Sequence, residues 1–168
     1  MDVRDAGSEE DLGEVRRLFR EFVAWHHDRQ QRNAGLVTSY FDDGEWQAEL
    51  DTLPGAYAGI EGGALLLARD HGRTLGCVAL RQLGDDSCEM KRMYVDDAGR
   101  GRGVGRVLGE AVVERARDLE YDAMYLDTSV EQHEAIGLYR SLGFEECEPY
   151  HAVPDAMRGW LVFFRLGL

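Results

Sequence analysis

The residues best suited to chemistry lie together past the middle of the chain, in Arg100-Gly101-Arg102-Gly103-Val104-Gly105-Arg106. An apolar run from Cys88 to Val95 leads toward this segment, and a stretch with apolar residues at helical spacing leaves it. A strand feeding a glycine-rich turn at the start of a helix is an anion site. The first amides of a helix have no internal partner, the helix dipole is positive there, and glycine lets the backbone come close to a ligand. Three arginines within seven residues add positive charge to a chain whose formal net charge is -13. Two phosphate-binding patterns fail here. The only lysine, Lys91, precedes Arg92, so G-x-x-x-x-G-K-[ST] is absent. G-x-G-x-x-G breaks at Arg106 when started from Gly101, and at Leu108 when started from Gly103. What remains is R-x-x-G-x-G between a strand and a helix.

The elements that must hold this segment read as alternating strands and helices. Asp2–Ala6 is a short first strand. Ser8 and Asp11 mark a helix start, and Leu12, Val15, Leu18, Phe19, Phe22 and Val23 carry an amphipathic helix to about Arg29. A second helix is expected over Tyr40–Leu50, broken by Thr52-Leu53-Pro54-Gly55. The runs Ala64–Arg69, Thr74–Leu83 and Cys88–Val95, joined by His71-Gly72-Arg73 and Gly84-Asp85-Asp86, predict an antiparallel meander. Val104, Val107, Leu108, Ala111, Val112 and Leu119 share one face of a long helix. A buried strand over Tyr121–Asp127 and a helix over Glu131–Leu142, stopped by Gly143, come next. Phe144–Tyr150 and Trp160–Leu166 are expected as a strand pair with a long connection. The apolar run Trp160-Leu161-Val162-Phe163-Phe164 suits a buried strand or a dimer edge, so a homodimer stays open. The expected fold class is α/β: a mixed, mostly antiparallel central sheet with helices on both faces.

Bulk properties narrow the function classes. A length of 168 residues suits one domain spanning 1–168, and 44 % hydrophobic residues suit a folded core. No apolar stretch is long enough for a membrane span, and Met1-Asp2-Val3-Arg4-Asp5 lacks the basic and apolar regions of a signal peptide, so a cytoplasmic location is expected. Cys77, Cys88 and Cys147 are odd in number and form no C-x-x-C, and the five histidines show no H-E-x-x-H; no metal is expected. The acidic balance speaks against nucleic acid as a partner. Acidity with a single lysine fits either life in high salt or a genome that favours arginine codons.

The segment R-x-x-G-x-G, filled by Arg100, Gly103 and Gly105, resembles the pyrophosphate-binding motif [QR]-x-x-G-x-[GA] of the GNAT superfamily of N-acetyltransferases. Downstream, Ala135-Ile136-Gly137-Leu138-Tyr139-Arg140-Ser141-Leu142-Gly143-Phe144 resembles that family's A-x-x-L-Y-x-x-x-G-F signature. Upstream, Glu89-Met90-Lys91-Arg92-Met93-Tyr94-Val95 resembles its cofactor-facing strand. The resemblance covers Ala64 to Tyr150. One departure is Gln132, where many members carry an asparagine three residues before the signature alanine.

The resemblance implies a GNAT-like acyl-CoA N-acyltransferase fold. It also implies acetyl-CoA as co-substrate and attack of a primary amine on the thioester, the amine belonging to a small molecule, an amino acid or a protein. Arg100, Gly101, Arg102, Gly103, Val104, Gly105 and Arg106 would bind its phosphates, and Met93, Tyr94 and Val95 its pantetheine, laid along the strand. An alkylamine is mostly protonated at neutral pH, so a base is needed. The resemblance places Glu89 in that role, directly or through water, and Tyr139 as the acid at the sulfur. Trp25, His26, Arg92, Ser129 and His133 are expected near the acceptor, Arg92 either pairing an acceptor carboxylate or holding Glu89. The competing expectation is a non-catalytic acyl-CoA-sensing domain that keeps the phosphate loop without a working acid or base.

Overall fold

A computed structural model describes residues 1–168, the side chain of Asp43 excepted. It contains seven strands, β1 (Asp2–Asp5), β2 (Ala64–Asp70), β3 (Arg73–Gly84), β4 (Ser87–Val95), β5 (Ala123–Ser129), β6 (Glu145–Cys147) and β7 (Leu161–Gly167). The helices are α1 (Glu9–Arg29), α2 (Ala34–Tyr40), α3 (Asp43–Thr52), α4 (Val104–Asp118) and α5 (His133–Ser141). The strands form one sheet in the order β1-β2-β3-β4-β5-β7-β6. Every pairing is antiparallel except β4 with β5. This is the mixed α/β architecture that the alternation of elements predicts.

Period-two alternation sends the strand side chains to two cores. Val78, Leu80, Cys88, Met90, Met124, Leu126 and Phe164 meet α4 and α5 through Leu108, Val112 and Tyr139. Leu65, Leu67, Cys77 and Ala79 meet α1 and α3 through Val15, Leu18, Phe19 and Leu50. Helix α1 starts where the sequence signals it. Ser8 Oγ accepts from the Asp11 amide at 3.1 Å, and the Asp11 carboxylate accepts from the Ser8 amide at 3.2 Å, which satisfies two amides that the helix cannot.

Two irregularities in β4 shape everything downstream. Cys77 pairs with Tyr94 but Ala79 pairs with Lys91, so Val78 faces both Arg92 and Met93 across a bulge, with Arg92 at φ 55. The parallel ladder between β4 and β5 covers only Ser87–Glu89 against Ala123–Tyr125. Beyond Glu89 the two strands run on without pairing, and the sheet opens into a wedge.

Two expectations change. The helix expected over Tyr40–Leu50 is α3 and starts at Asp43, because the Asp42 carboxylate caps it on the Gly44 and Glu45 amides, and a further helix, α2, precedes it and ends at Tyr40. The strand expected over Phe144–Tyr150 keeps only Glu145–Cys147, and residues 148–160 form a connection that folds back over the sheet. The apolar C-terminal run enters the sheet as β7, between β5 along its whole length and the short β6 at Phe163–Arg165.

Candidate active site

A cleft of about 670 Å³ runs through the wedge between β4 and β5 and emerges at the N-terminus of α4. Its α4 side is a main-chain surface. Gly103 stands at the helix N-cap with φ 78 and no side-chain cap, so the amides of the first turn face the cleft without a partner from the helix. Gly101 and Gly103 both have positive φ, and a Cβ on either would meet nothing within 4 Å. The loop is therefore open on its outer side, where an anion can approach the amides. Gly101, Gly103, Val104 and Gly105 all line the cleft, as do Arg100 and Arg106. These residues suit a pyrophosphate, and the unpaired length of β4 suits a chain of amide groups lying alongside it.

The arginines divide. Arg100 pairs with Asp97 at 2.5 Å and lies 5.1 Å from the Trp25 ring centre, so it forms part of the mouth. Arg106 reaches Ser141 Oγ at 2.9 Å. Arg102, expected among the phosphate ligands, pairs with Asp70 at 2.5 Å and does not line the cleft.

Tyr139, on α5, is buried against Phe144 and Phe164 while lining the cleft. Among the described residues its hydroxyl has no hydrogen-bond partner. Burial, assisted by the Asp127 charge, raises its pKa above the ordinary tyrosine value, so the phenol keeps its proton at neutral pH.

The other side of the cleft, toward α1 and α2, is built from side chains. Asp127, on β5 beyond the end of the ladder, lines it with little exposure. Its carboxylate accepts from the Tyr40 hydroxyl and from His151 Nε2, each at 2.7 Å. Burial would raise the Asp127 pKa, but His151, Lys91 and Tyr40 outweigh it and hold the group below its usual value. The same hydrogen bond raises the His151 pKa.

Glu89 lies one layer behind. It is 1 % exposed and is not part of the cleft wall. Arg81 Nε donates to Oε2 at 2.7 Å, Tyr150 donates to Oε1 at 2.8 Å, and Lys91 stands 3.5 Å off. Arg92 does not hold Glu89: its guanidinium grips Glu49 through two bonds of 2.9 and 2.6 Å and lies over Phe41 and Trp46. The bulge turns Arg92 toward α3 and the aromatic side chains of the α1 side, where Glu49 takes its charge.

His26 sits in a side-chain network that fixes its chemistry. Trp160 Nε1 can only donate, and it lies 3.1 Å from Gln30 Oε1, which also accepts from Ser129 at 3.1 Å. Gln30 must therefore present its NH2 to His26 Nδ1, at 3.0 Å, and Nδ1 must accept. The proton of the neutral ring is on Nε2. Burial and the Arg92 charge lower the His26 pKa to about 4. Gln132, which departs from the usual asparagine, also reaches His26 Nδ1, at 3.2 Å. Trp25, His26 and Ser129 line the cleft, whereas His133 is exposed at the start of α5 and does not.

Several members of this site were invisible to motif reasoning. Asp127, Lys91, Tyr40 and Gln30 match no local pattern. The one available signal was chemical type: a carboxylate and a lone lysine inside apolar strands.

Comparisons with known proteins agree with this geometry. A Schizosaccharomyces pombe protein described as an uncharacterized N-acetyltransferase is 43 % identical over 94 residues, which are 55 % of this chain and 58 % of that protein. N-acetylaspartate synthetase of Danio rerio is 32 % identical over 137 residues, 78 % of this chain and 48 % of that protein. The match to each thus spans less than two thirds of that relative's length. Among solved structures, ribosomal-protein-alanine N-acetyltransferase from Brucella melitensis has a TM-score of 0.70 at 22 % identity, covering 100 % of both chains. A GNAT family acetyltransferase from Elizabethkingia anophelis with acetyl-CoA bound has a TM-score of 0.55 at 20 % identity, covering 69 % of this chain and 82 % of that one. At these identities the two structures speak for the fold. The family description "Acetyltransferase (GNAT) family" matches residues 19–144, three quarters of the sequence and every element of the cleft up to α5. The chain belongs to the GNAT acetyltransferase family.

Proposed function

We propose that the chain transfers an acetyl group from acetyl-CoA to a primary amine. The observation that carries this reading is the wedge between β4 and β5, which opens at one end onto the uncapped N-terminus of α4. Bound there, acetyl-CoA supplies an activated thioester and a thiolate leaving group. The amides at the start of α4 and the Gly101–Gly105 backbone hold the pyrophosphate. The main chain of Met93–Val95, free on the β5 side, binds pantetheine and offers a donor to the thioester oxygen as it gains charge. Tyr139, kept protonated by burial, gives a proton toward the sulfur. A hydroxyl lining the cleft with no protein partner favours catalysis over a sensing role.

On the acceptor side Asp127 faces the incoming ammonium, and the proton passes through water to Glu89 behind the wall. Asp127 is held low by its donors, so it suits binding a cation better than removing its proton. The acceptor side is lined by Tyr40, Phe41 and Trp160, whose aromatic rings favour a small amine over a protein segment. The relative named N-acetylaspartate synthetase points to the same substrate class. Three cysteines without disulfides suit a reducing compartment, and we place the enzyme in the cytoplasm.

The deciding measurement is calorimetric titration of acetyl-CoA into the wild type and into Gly103→Glu and Gly105→Glu. Saturable binding that both folded variants lose supports the assignment, and release of CoA on adding an amine panel extends it to turnover. Absence of binding in a folded wild type would falsify it.

A further inference from the structure

Lys91 is the only lysine in the chain, and it is spent inside the cleft rather than on the surface. Its side chain is 14 % exposed. An ammonium so nearly buried needs compensation, and the two arginines nearest to it, one buried and one half-exposed, have it. Arg92 has the Glu49 carboxylate in two bonds, and Arg81 has Glu89. Lys91 has no hydrogen bond among the described residues. The one carboxylate within 4.0 Å is Glu89, at 3.5 Å, and Arg81 and Tyr150 already take its two oxygens at shorter range. The ammonium of a residue that lines the cavity thus has one long ion pair and no hydrogen bond for its three donors.

The bulge at Arg92 and the end of the β4–β5 ladder put this ammonium on the acceptor side, on the same sheet face as Asp127 and Ser129. Asp127 is near enough for its charge to act on Lys91. The wall therefore presents one anion and one underused cation to the same space. That pair complements a zwitterion.

We propose that the acceptor is an amine that carries its own carboxylate, an amino acid or a close analogue, with Lys91 gripping the carboxylate while Asp127 faces the ammonium; this rests on the acetyltransferase reading above. Burial pulls the Lys91 pKa down and the Glu89 and Asp127 charges pull it back. A substrate carboxylate adds to the second effect and completes the hydrogen bonds that the protein leaves open. Lys91 is here a specificity-determining residue. It discriminates between amines and takes no part in proton transfer at the reacting atoms.

The test pairs each of the common amino acids with its α-carboxamide, and aspartate and glutamate also with asparagine and glutamine, and follows CoA release. At least one carboxylate-bearing amine should exceed its amide in kcat/KM by roughly 10- to 100-fold, the range of a charge-assisted hydrogen bond. Lys91→Met should bring that ratio close to one, mainly through KM, and Lys91→Arg should restore part of it. A panel in which no amine beats its amide overturns the proposal without any variant. So does a Lys91→Met protein that loses the same factor on both members of a pair. Acetyl-CoA binding by calorimetry separates the two readings. Its absence removes both, whereas retained binding with no carboxylate preference removes this one alone.

Discussion

On the α4 side of the cleft a run of main-chain amides from one short segment, Arg100–Arg106, carries most of the polar surface, beside the Arg100 and Arg106 side chains. On the α1 side they are side chains drawn from α1, α2, β4, β5 and the connection before β7, joined by contacts such as Gln30 to Trp160 and Tyr40 to Asp127. Backbone donors tolerate sequence change and recognise a ligand common to a family. Side-chain donors must be gathered over long sequence separations, and each can be exchanged without disturbing the fold. The first side therefore suits the invariant co-substrate, and the second suits an acceptor particular to this chain.

The largest expected effect strikes the backbone side. Gly103→Glu forces a side chain onto a residue at φ 78 and puts a carboxylate where the anion should sit, so acetyl-CoA affinity should drop by about 1000-fold. Arg106→Ala removes only an exposed guanidinium and should cost about 3-fold or less. Comparable losses in the two variants would show that side chains carry the phosphate site, and the contrast between the two sides would collapse.

Next comes the chemistry at the junction. Tyr139→Phe keeps the packing against Phe144 and Phe164 and removes a hydroxyl that bonds nothing in the protein, so the fold should be unaffected. With the proton donor gone, kcat should fall by about 100-fold while acetyl-CoA binding holds. An unchanged kcat would place the acid elsewhere.

A third effect reads the side-chain wall through pH. Native His26 resists protonation until about pH 4, whereas the unfolded imidazole takes up its proton near 6.5. Between those values the unfolded chain binds more protons, so stability rises with pH there. The contribution is fully present above 6.5 and is lost as pH falls toward 4, at about 3 kcal/mol in all. Urea unfolding from pH 7 to 5 should show this slope, and His26→Gln should flatten it. Parallel curves for the two proteins would mean that the imidazole is not held neutral by its surroundings.

These cases also show why the two sides differ in how far the sequence reveals them. The glycine loop is local: its spacing, the strand before it and the helix after it lie between Ser87 and Asp118 without a break, and a motif captures all three. The meander, α1 with its capping box, and α4 were legible for the same reason, because caps and periodicity are short-range. The short α2 and the exact start of α3 were not, since α2 has no side-chain cap and α3 starts on the Asp42 carboxylate rather than at a breaker residue. Asp127 was read as the end of a buried strand. Its function arises from where β4 and β5 stop pairing, which no local pattern encodes. The sequence leaves Arg92 between an acceptor carboxylate and Glu89, and its actual partner, Glu49, lies 43 residues away on α3, where no local pattern reaches.

The smallest expected effect lies where the two sides meet at the mouth. Arg29, in the last turn of α1, pairs with Glu134 of α5 at 2.6 Å, and both line the cleft. The geometry looks like a clasp, yet the partners are 36 % and 72 % exposed, so solvent screens the pair and each long side chain loses freedom in making it. A double-mutant cycle with Arg29→Ala and Glu134→Ala should give a coupling of about 0.5 kcal/mol or less in unfolding, and kcat should stay within about 2-fold of wild type. The Arg29 guanidinium also lies 5.2 Å from the Trp25 ring centre, a contact that survives removal of Glu134, so the two single variants need not match. A coupling near 2 kcal/mol would instead tie the amide-built side to the side-chain-built one. Changes at the acceptor wall would then have to be felt at the phosphate loop.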